Sequence, residues 1–322
     1  MKAVYVNRFG GPEVLEMVEV ELPAVGPKQV LIKVAVASVN FADIKARLGK
    51  YHGKGSPPFI PGLDVAGTVS AIGEGVTEVK VGERVIAFPR DGSYADYCVA
   101  EEVLTFPIAN DISFDIAAAC PVVAVTCYNL LARVGKLSEG ETVVIHSASG
   151  GIGTTAIQLA KILGAGKVIA TVGREEKAAV AKSAGADSVL NYHHDSVDKE
   201  ILKLTNGVGA DVILDPIGGE VFQKSLGYLA HFGRIACFGG ESASFQTGIL
   251  HKTCRSVLGY SLGTQLKERP EAVKSTVLKV LELIKRKDLN IFISEKYALC
   301  DAAKAHQWID SRKSTGKVLL IP

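Results

Sequence analysis

Between Val143 and Gly153 the chain reads Val-Val-Ile-His-Ser-Ala-Ser-Gly-Gly-Ile-Gly, an apolar β-branched run that ends in glycines and opens into the helical pattern Thr154 to Leu163. A strand that stops at a tight turn and restarts as a helix aims unpaired backbone N–H groups, and the positive end of the helix dipole, at one point. Glycines there remove the side chains that would block a diphosphate. In the G-x-G-x-x-G register the three positions are held by Ala148, Gly150 and Gly153, the first being a small residue that still fits a tight turn. The chemistry served by this spacing is dinucleotide binding. Glycine turns also join strands to helices for structural reasons alone, so the neighbouring residues carry weight.

Roughly 20 residues beyond Gly153, where a ribose-reading side chain belongs, the apolar run Lys167 to Val172 ends in Gly173-Arg174, with Lys177 close behind. An Asp or Glu at the end of this strand would accept a hydrogen bond from a free 2′-hydroxyl and repel a 2′-phosphate. Two cations favour the phosphate, hence NADPH over NADH. Glu175 and Glu176 argue the other way, and Arg174 and Lys177 read equally well as exposed helix charges.

The elements that must position these residues alternate. Strands are expected near 143–147, 167–172, 187–190, 211–215, 233–238 and 256–260, with helices such as Glu175 to Ala184 and Glu220 to Leu229 between them. The result is an α/β doubly wound parallel sheet of Rossmann type. One helical segment, Asp115 to Val134, leads into it. The first hundred residues differ: short strands such as Lys2 to Asn7, Gln29 to Ser38, Gly62 to Ile72 and Arg84 to Phe88 are punctuated by Gly and Pro, the pattern of a barrel-like β domain. Val318 to Ile321 reads as a strand able to rejoin that domain. At 322 residues two domains are expected, with a chain that crosses between them more than once.

A net charge of +2, from 36 basic and 34 acidic side chains, gives no reason to expect nucleic acid or an anionic membrane as partner. Six cysteines without a C-x-x-C pair suit a reducing compartment. The start Met1-Lys-Ala-Val-Tyr-Val lacks a signal peptide's apolar core, and no apolar run reaches membrane-spanning length, so a cytoplasmic location is expected.

Four stretches, Ser38-Val-Asn-Phe-Ala-Asp43, Pro61-Gly-Leu-Asp-Val-Ala-Gly67, Val79-Lys-Val-Gly-Glu-Arg-Val85 and Ala148 to Gly153, together with the order of parts, resemble the medium-chain dehydrogenase/reductase superfamily over the full length. Its zinc-independent quinone oxidoreductase branch is the nearest match. The resemblance implies a mainly β, GroES-like barrel domain over 1–122, completed by 266–322, and an NADP-binding Rossmann domain over 123–265. It further implies that Thr126 lies against the nicotinamide and that Gly151 and Ile152 contact the diphosphate. Tyr192 would join Gly173, Arg174 and Lys177 around the adenosine phosphate, while Phe238, Gly239 and Gly240 end the fifth strand beside the nicotinamide ribose. Lys317 is a further cofactor candidate, with a surface lysine as its plain alternative.

Zinc alcohol dehydrogenases carry a Cys-His pair where this chain has Asn40-Phe41 and a Gly-His-Glu where it has Gly62-Leu63-Asp64. Their third ligand would fall near Val122, out of register with Cys120 and Cys127, and their four-cysteine structural lobe is missing. A catalytic zinc needs three converging N, S or O donors, so metal-free chemistry is expected. His193-His194-Asp195 reads as a solvated loop and His146 as a packed histidine.

Without a Lewis acid the chemistry that remains is hydride delivery from a reduced nicotinamide to an acceptor already electrophilic, such as a quinone or an α,β-unsaturated carbonyl. For the acceptor side the candidates are Asn40 as an amide donor, Tyr51 as a phenol donor or stacking surface, and Asp43 as their organiser. Each has a plainer role: a helix cap for Asn40, an i,i+4 pair with Arg47 for Asp43, loop packing for Tyr51. Lys45 stands where relatives can carry an aromatic residue, which blocks a direct transfer of substrate preference. Two alternatives stay open, an enoyl-thioester reductase of the same fold and an NADPH-binding protein with a structural or RNA-binding role. The resemblance also implies a homodimer formed through Ser256 to Leu262.

Overall fold

The computed structural model describes residues 1–51 and 56–322. The chain separates into two units. The first comprises Met1–Val125, Gly263–Lys287 and Ile291–Pro322, and the second Thr126–Leu262 with Asp288–Asn290. Strands β1 (Lys2–Val6), β2 (Leu15–Glu19), β3 (Gln29–Val39), β4 (Val65–Ile72), β5 (Arg84–Ala87), β6 (Tyr97–Glu101) and β7 (Thr105–Pro107) open the chain. Next come β8 (Thr142–Ile145), β9 (Lys167–Val172), β10 (Ser188–Asn191), β11 (Ala210–Asp215), β12 (Leu229–Cys237) and β13 (Ser256–Gly259), and then β14 (Ile293–Ala298) and β15 (Lys317–Ile321). The helices that bear on the sites include α1 (Phe41–Arg47), α2 (Phe114–Ala119), α3 (Pro121–Tyr128) and α4 (Gly151–Ile162), and the helix Ala302–Asp310 carries His306.

In the first unit a mixed GroES-like sheet runs β14-β15-β3-β4-β5-β7, with β6 also paired to β3, and β1 and β2 form a separate ribbon. The long strand β3 organises it. Val30, Ile32 and Val34 alternate into a core with Val65, Val69, Val85, Val318 and Leu320, and two register shifts against β4 bend the strand. The run Val318 to Ile321 does rejoin this unit, with Val318 opposite Val39 in the antiparallel β15–β3 pair. That register brings Lys317 beside the end of β3, where Asn40 begins α1.

The second unit is a parallel sheet in the order β10-β9-β8-β11-β12-β13. Counted from its first strand this is 3-2-1-4-5-6, the Rossmann order, whose switch point lies between β8 and β11 at the carboxyl ends of the strands. Val144, Ile169, Ile213 and Ile235 from four neighbouring strands share its core.

Two local expectations change. The segment Asp115 to Val134 is not one helix. Pro121, which lacks an N–H and clashes with the preceding turn, divides it into α2 and α3. Strand β12 starts at Leu229 rather than 233, taking the last residue of the expected helix, because its pairing with β11 slips between Ala210 and Val212. Phe232 takes a φ of +63° in this irregular start.

Candidate functional site

The glycine junction of the second unit turns at Ser147, whose φ is +53°, and Ala148 N–H then donates to Thr171 O at 3.0 Å. The glycines of the motif do different work. A Cβ on Gly153 would stand 2.4 Å from the Ala148 backbone, so α4 can only pack on the turn if position 153 has no side chain. Around Gly150 the nearest atom to such a Cβ is Ser147 O at 3.8 Å, and its φ of −80° is open to any residue. The protein itself therefore has no need of glycine at 150, whereas a closely approaching diphosphate does. Thr154 N–H reaches back to Gly150 O at 3.0 Å, while among the described residues the N–H groups of Gly151, Ile152 and Gly153 have no acceptor. Thr126, in α3, is buried, and the next residue, Cys127, donates its Sγ–H to Ile152 O at 3.2 Å, tying α3 to the start of α4.

His146 is a packed histidine. Its ring nitrogens meet Thr171 Oγ1 at 2.8 Å and Ser225 Oγ at 3.0 Å. Burial pulls its pKa down to about 4 against the opposing charge of Asp215, which leaves the imidazole neutral.

At the end of β9, a Cβ on Gly173 would lie 2.2 Å from the Tyr192 hydroxyl, so the phenol takes the place of a side chain at 173. Lys177 N–H donates to Arg174 O at 3.1 Å. The structure thus groups Gly173, Arg174, Lys177 and the half-exposed Tyr192. Arg174 Nη1 lies 3.7 Å from Glu176, so one of the two acids that argued for a free ribose hydroxyl already faces a cation. The ring of Tyr192 lies 4.6 Å from that of His193.

Phe238 N–H donates to Asp215 O at 3.0 Å at the end of β12. A cavity of about 310 Å³ opens there, lined by Asp215, Phe222, Phe238, Gly239, Gly240 and Glu241 among others. Gly240 has a structural reason of its own, since a Cβ would meet the Ile217 carbonyl carbon at 2.5 Å. Asp215 Oδ1 accepts from Ile217 N at 2.8 Å and Gly218 N at 3.0 Å, whereas its buried Oδ2 has no partner among the described residues. An unclaimed carboxylate oxygen lining a cavity at the strand ends, like the open cradle over Gly150, fits a ligand with hydrogen-bond donors and a diphosphate.

The first unit holds a buried polar cluster. Asn40 occupies the N-cap position of α1 and forms a capping box with Asp43, and its side chain also reaches inward: Nδ2 donates to Asp64 Oδ1 at 2.8 Å and Oδ1 accepts from Lys317 Nζ at 2.7 Å. Asp43 supplies the other arm of the box by accepting from Asn40 N–H at 2.8 Å. Tyr94 donates to the same Asp43 oxygen at 3.3 Å and meets His306 Nε2 at 3.1 Å, and Arg47 Nη1 lies 3.3 Å from His306 Nδ1. Arginine only donates, so Nδ1 accepts and Nε2 carries the proton toward Tyr94. Arg47 Nη2 pairs with Asp310 at 2.9 Å. Burial and the Arg47 charge hold the His306 pKa down at about 3. Tyr51 is half-buried, and burial followed by the Asp43 charge raises its pKa, which keeps its proton available for donation.

Sequence reasoning did not find Tyr94, His306 or the inward role of Arg47. They come from segments up to 259 positions apart, and nothing local marks a Tyr or His as a partner of Asp43. Lys317 is no surface lysine: it is 3% exposed, and its ammonium donates to Val39 O at 3.1 Å as well as to Asn40. At the positions of the zinc ligands, Val122 supplies only a backbone N–H to Asp64 Oδ2 at 3.0 Å. Among the described residues no group of three His, Cys, Asp or Glu could hold a metal ion.

Residues 26–110 match the alcohol dehydrogenase GroES-like domain family and residues 151–281 the zinc-binding dehydrogenase family. A quinone oxidoreductase of Pseudomonas aeruginosa is 34% identical over 326 residues, spanning 100% of this chain and 99% of its own length. The Escherichia coli quinone oxidoreductase solved with NADPH superposes with a TM-score of 0.94 at 31% identity, covering 100% of each chain. A mycobacterial protein solved with NADPH gives 0.93 at 33%, again over 100% of each chain. The chain belongs to the quinone oxidoreductase branch of the medium-chain dehydrogenase/reductase superfamily.

Proposed function

We propose that this protein is an NADPH-dependent oxidoreductase that reduces quinones or α,β-unsaturated carbonyls without a metal. Bound NADPH supplies the hydride. Gly150 and the free N–H groups of Gly151, Ile152 and Gly153 hold the diphosphate, and Arg174, Lys177 and Tyr192 hold the 2′-phosphate. Phe238, Gly239 and Gly240 border the nicotinamide ribose, and Thr126 orients the ring. On the acceptor side Asn40 and Tyr51 donate hydrogen bonds to the oxygen that gains charge, which is where preorganised donors lower a barrier most, and Asp43 orders them.

The observation that carries this reading is the polar cluster around Asn40. Where zinc-dependent relatives place metal ligands, this chain has Asn40, Leu63 and Val122, and Lys317 Nζ donates to the Asn40 side-chain carbonyl at 2.7 Å. Such a site favours acceptors that are electrophilic without a Lewis acid. The test is the rate of NADPH oxidation, with NADH and chelator controls, against an ortho-quinone, a para-quinone, a short enone and an enoyl thioester. Turnover that prefers NADPH and survives chelation supports the proposal. A rate confined to the thioester would move the substrate class to enoyl thioesters, and NADPH binding without turnover on any acceptor would support a non-catalytic role.

A homodimer formed through the edge strand β13 belongs to the same proposal. Among the described residues strand β13 pairs on one side only, with β12, and Ser256, Val257 and Leu258 are half-buried. Light scattering should give about twice the chain mass of 34.0 kDa, and the monomer mass would rule the dimer out.

A further inference from the structure

We propose that Lys317 and Asp64 form a charged clamp that fixes and polarises the Asn40 side-chain amide, so that Lys317 is a positioning residue of the reduction and not a cofactor contact; the inference rests on the reductase reading above. The clamp is built by topology. Strand β15 returns from the end of the chain to pair with β3, Val318 opposite Val39, which sets the buried Lys317 beside Asn40. Its ammonium donates to Asn40 Oδ1 at 2.7 Å and to Val39 O at 3.1 Å. On the opposite side of the amide, Asp64 Oδ1 accepts from Asn40 Nδ2 at 2.8 Å. Asp64 is itself held by Ser38 Oγ at 2.5 Å and by Val122 N–H at 3.0 Å.

An amide between a cation and an anion has one orientation. Rotated by half a turn it would set its NH₂ against an ammonium and its carbonyl against a carboxylate. The ammonium also draws electron density out of the carbonyl and thereby off the nitrogen. The second Nδ2 hydrogen, which has no acceptor among the described residues, becomes the stronger donor for it. Stability does not explain the arrangement, because two buried charges rarely repay their desolvation and apolar residues of similar volume commonly do as well. A specific orientation of Asn40 is what the two charges supply.

Lys317→Met, Lys317→Gln, Asn40→Ala and the double variant Lys317→Met/Asn40→Ala test the clamp. Lys317→Met is expected to lower kcat about 30-fold, the worth of one charge-assisted hydrogen bond, while the Kd for NADPH stays within about twofold. The double variant should be no slower than the slower single one, and Lys317→Gln, which keeps a donor without the charge, should fall between wild type and Lys317→Met. A rise of about tenfold or more in the Kd for NADPH with kcat unchanged would make Lys317 a cofactor contact, and losses that multiply in the double variant would separate it from Asn40; either overturns the clamp. The side-chain amide resonances of Asn40, assigned through Asn40→Ala, give a readout independent of turnover. They should move in Lys317→Gln and in Lys317→Met, and unmoved resonances contradict the proposal even if no acceptor is ever reduced. Should Lys317→Met fail to fold, the same comparison runs on Lys317→Gln alone.

Discussion

At the residue scale, Gly150 and Gly153 look alike in the sequence and differ in what surrounds them. Gly153→Ala puts a methyl 2.4 Å from the Ala148 backbone and should cost about 1–3 kcal/mol, the range for overpacking, seen as a lower midpoint of thermal unfolding. Gly150→Ala brings its methyl no closer than 3.8 Å to the protein, at Ser147 O, and should leave that midpoint nearly unchanged, yet weaken NADPH binding at least tenfold by calorimetry. Equal effects of both on stability would mean that Gly150 serves only the turn. The buried histidines make a pH prediction. His306 and His146 hold pKa values of about 3 and about 4 when folded but titrate at about 6.5 when unfolded. Between those values the unfolded chain binds more protons, so stability is lost as pH falls below 6.5, by about 1.4 kcal/mol per pH unit for each group. His306→Gln should flatten that decline, and a decline of unchanged steepness would contradict the neutral buried imidazole.

At the element scale, the arginine of the run Val79 to Val85 has a physical role that the sequence motif alone did not state. Arg84 donates to Ala109 O at 3.1 Å, Asn110 O at 2.8 Å and Ile112 O at 2.7 Å, and its guanidinium lies 4.2 Å from the Phe114 ring. It thereby pins the segment before α2 onto β5. Arg84→Met keeps the bulk but leaves three carbonyls short of a donor, and is expected to lower stability by about 2 kcal/mol. Arg84→Lys should recover only part of this, since an ammonium cannot reproduce the planar fork. Full recovery by lysine would show that charge alone matters. Elements whose signal is local were legible in advance: β8, the turn at Ser147 and α4 follow from one continuous pattern, and β9 with Gly173 from the next. The helix divides at Pro121, a residue visible in the sequence whose effect competes with the helical pattern around it, and the early start of β12 depends on a register slip against β11 that no single-strand pattern contains. The cluster around Asn40 was half legible. Asn40, Asp43 and Tyr51 lie within one short stretch, whereas Lys317 reaches it through the pairing of β15 with β3, Tyr94 from the segment just before β6, and His306 from the helix Ala302–Asp310.

At the scale of the whole molecule, each unit carries one candidate site, the glycine junction with its strand-end cavity in one and the Asn40 cluster in the other. Among the described residues no helix is long and apolar enough to cross a membrane, and the 36 basic and 34 acidic side chains leave a net charge of only +2. The proposal at this scale is hydride transfer from NADPH to a small electrophile. The most direct test is single-turnover reduction of a short enone with NADPH deuterated at C4, using protein stripped of metal and checked by mass spectrometry. Metal-free hydride transfer predicts undiminished turnover, an isotope effect on the loss of NADPH absorbance and one deuterium at the β-carbon of the product. Turnover that vanishes on metal removal and returns with zinc would contradict it.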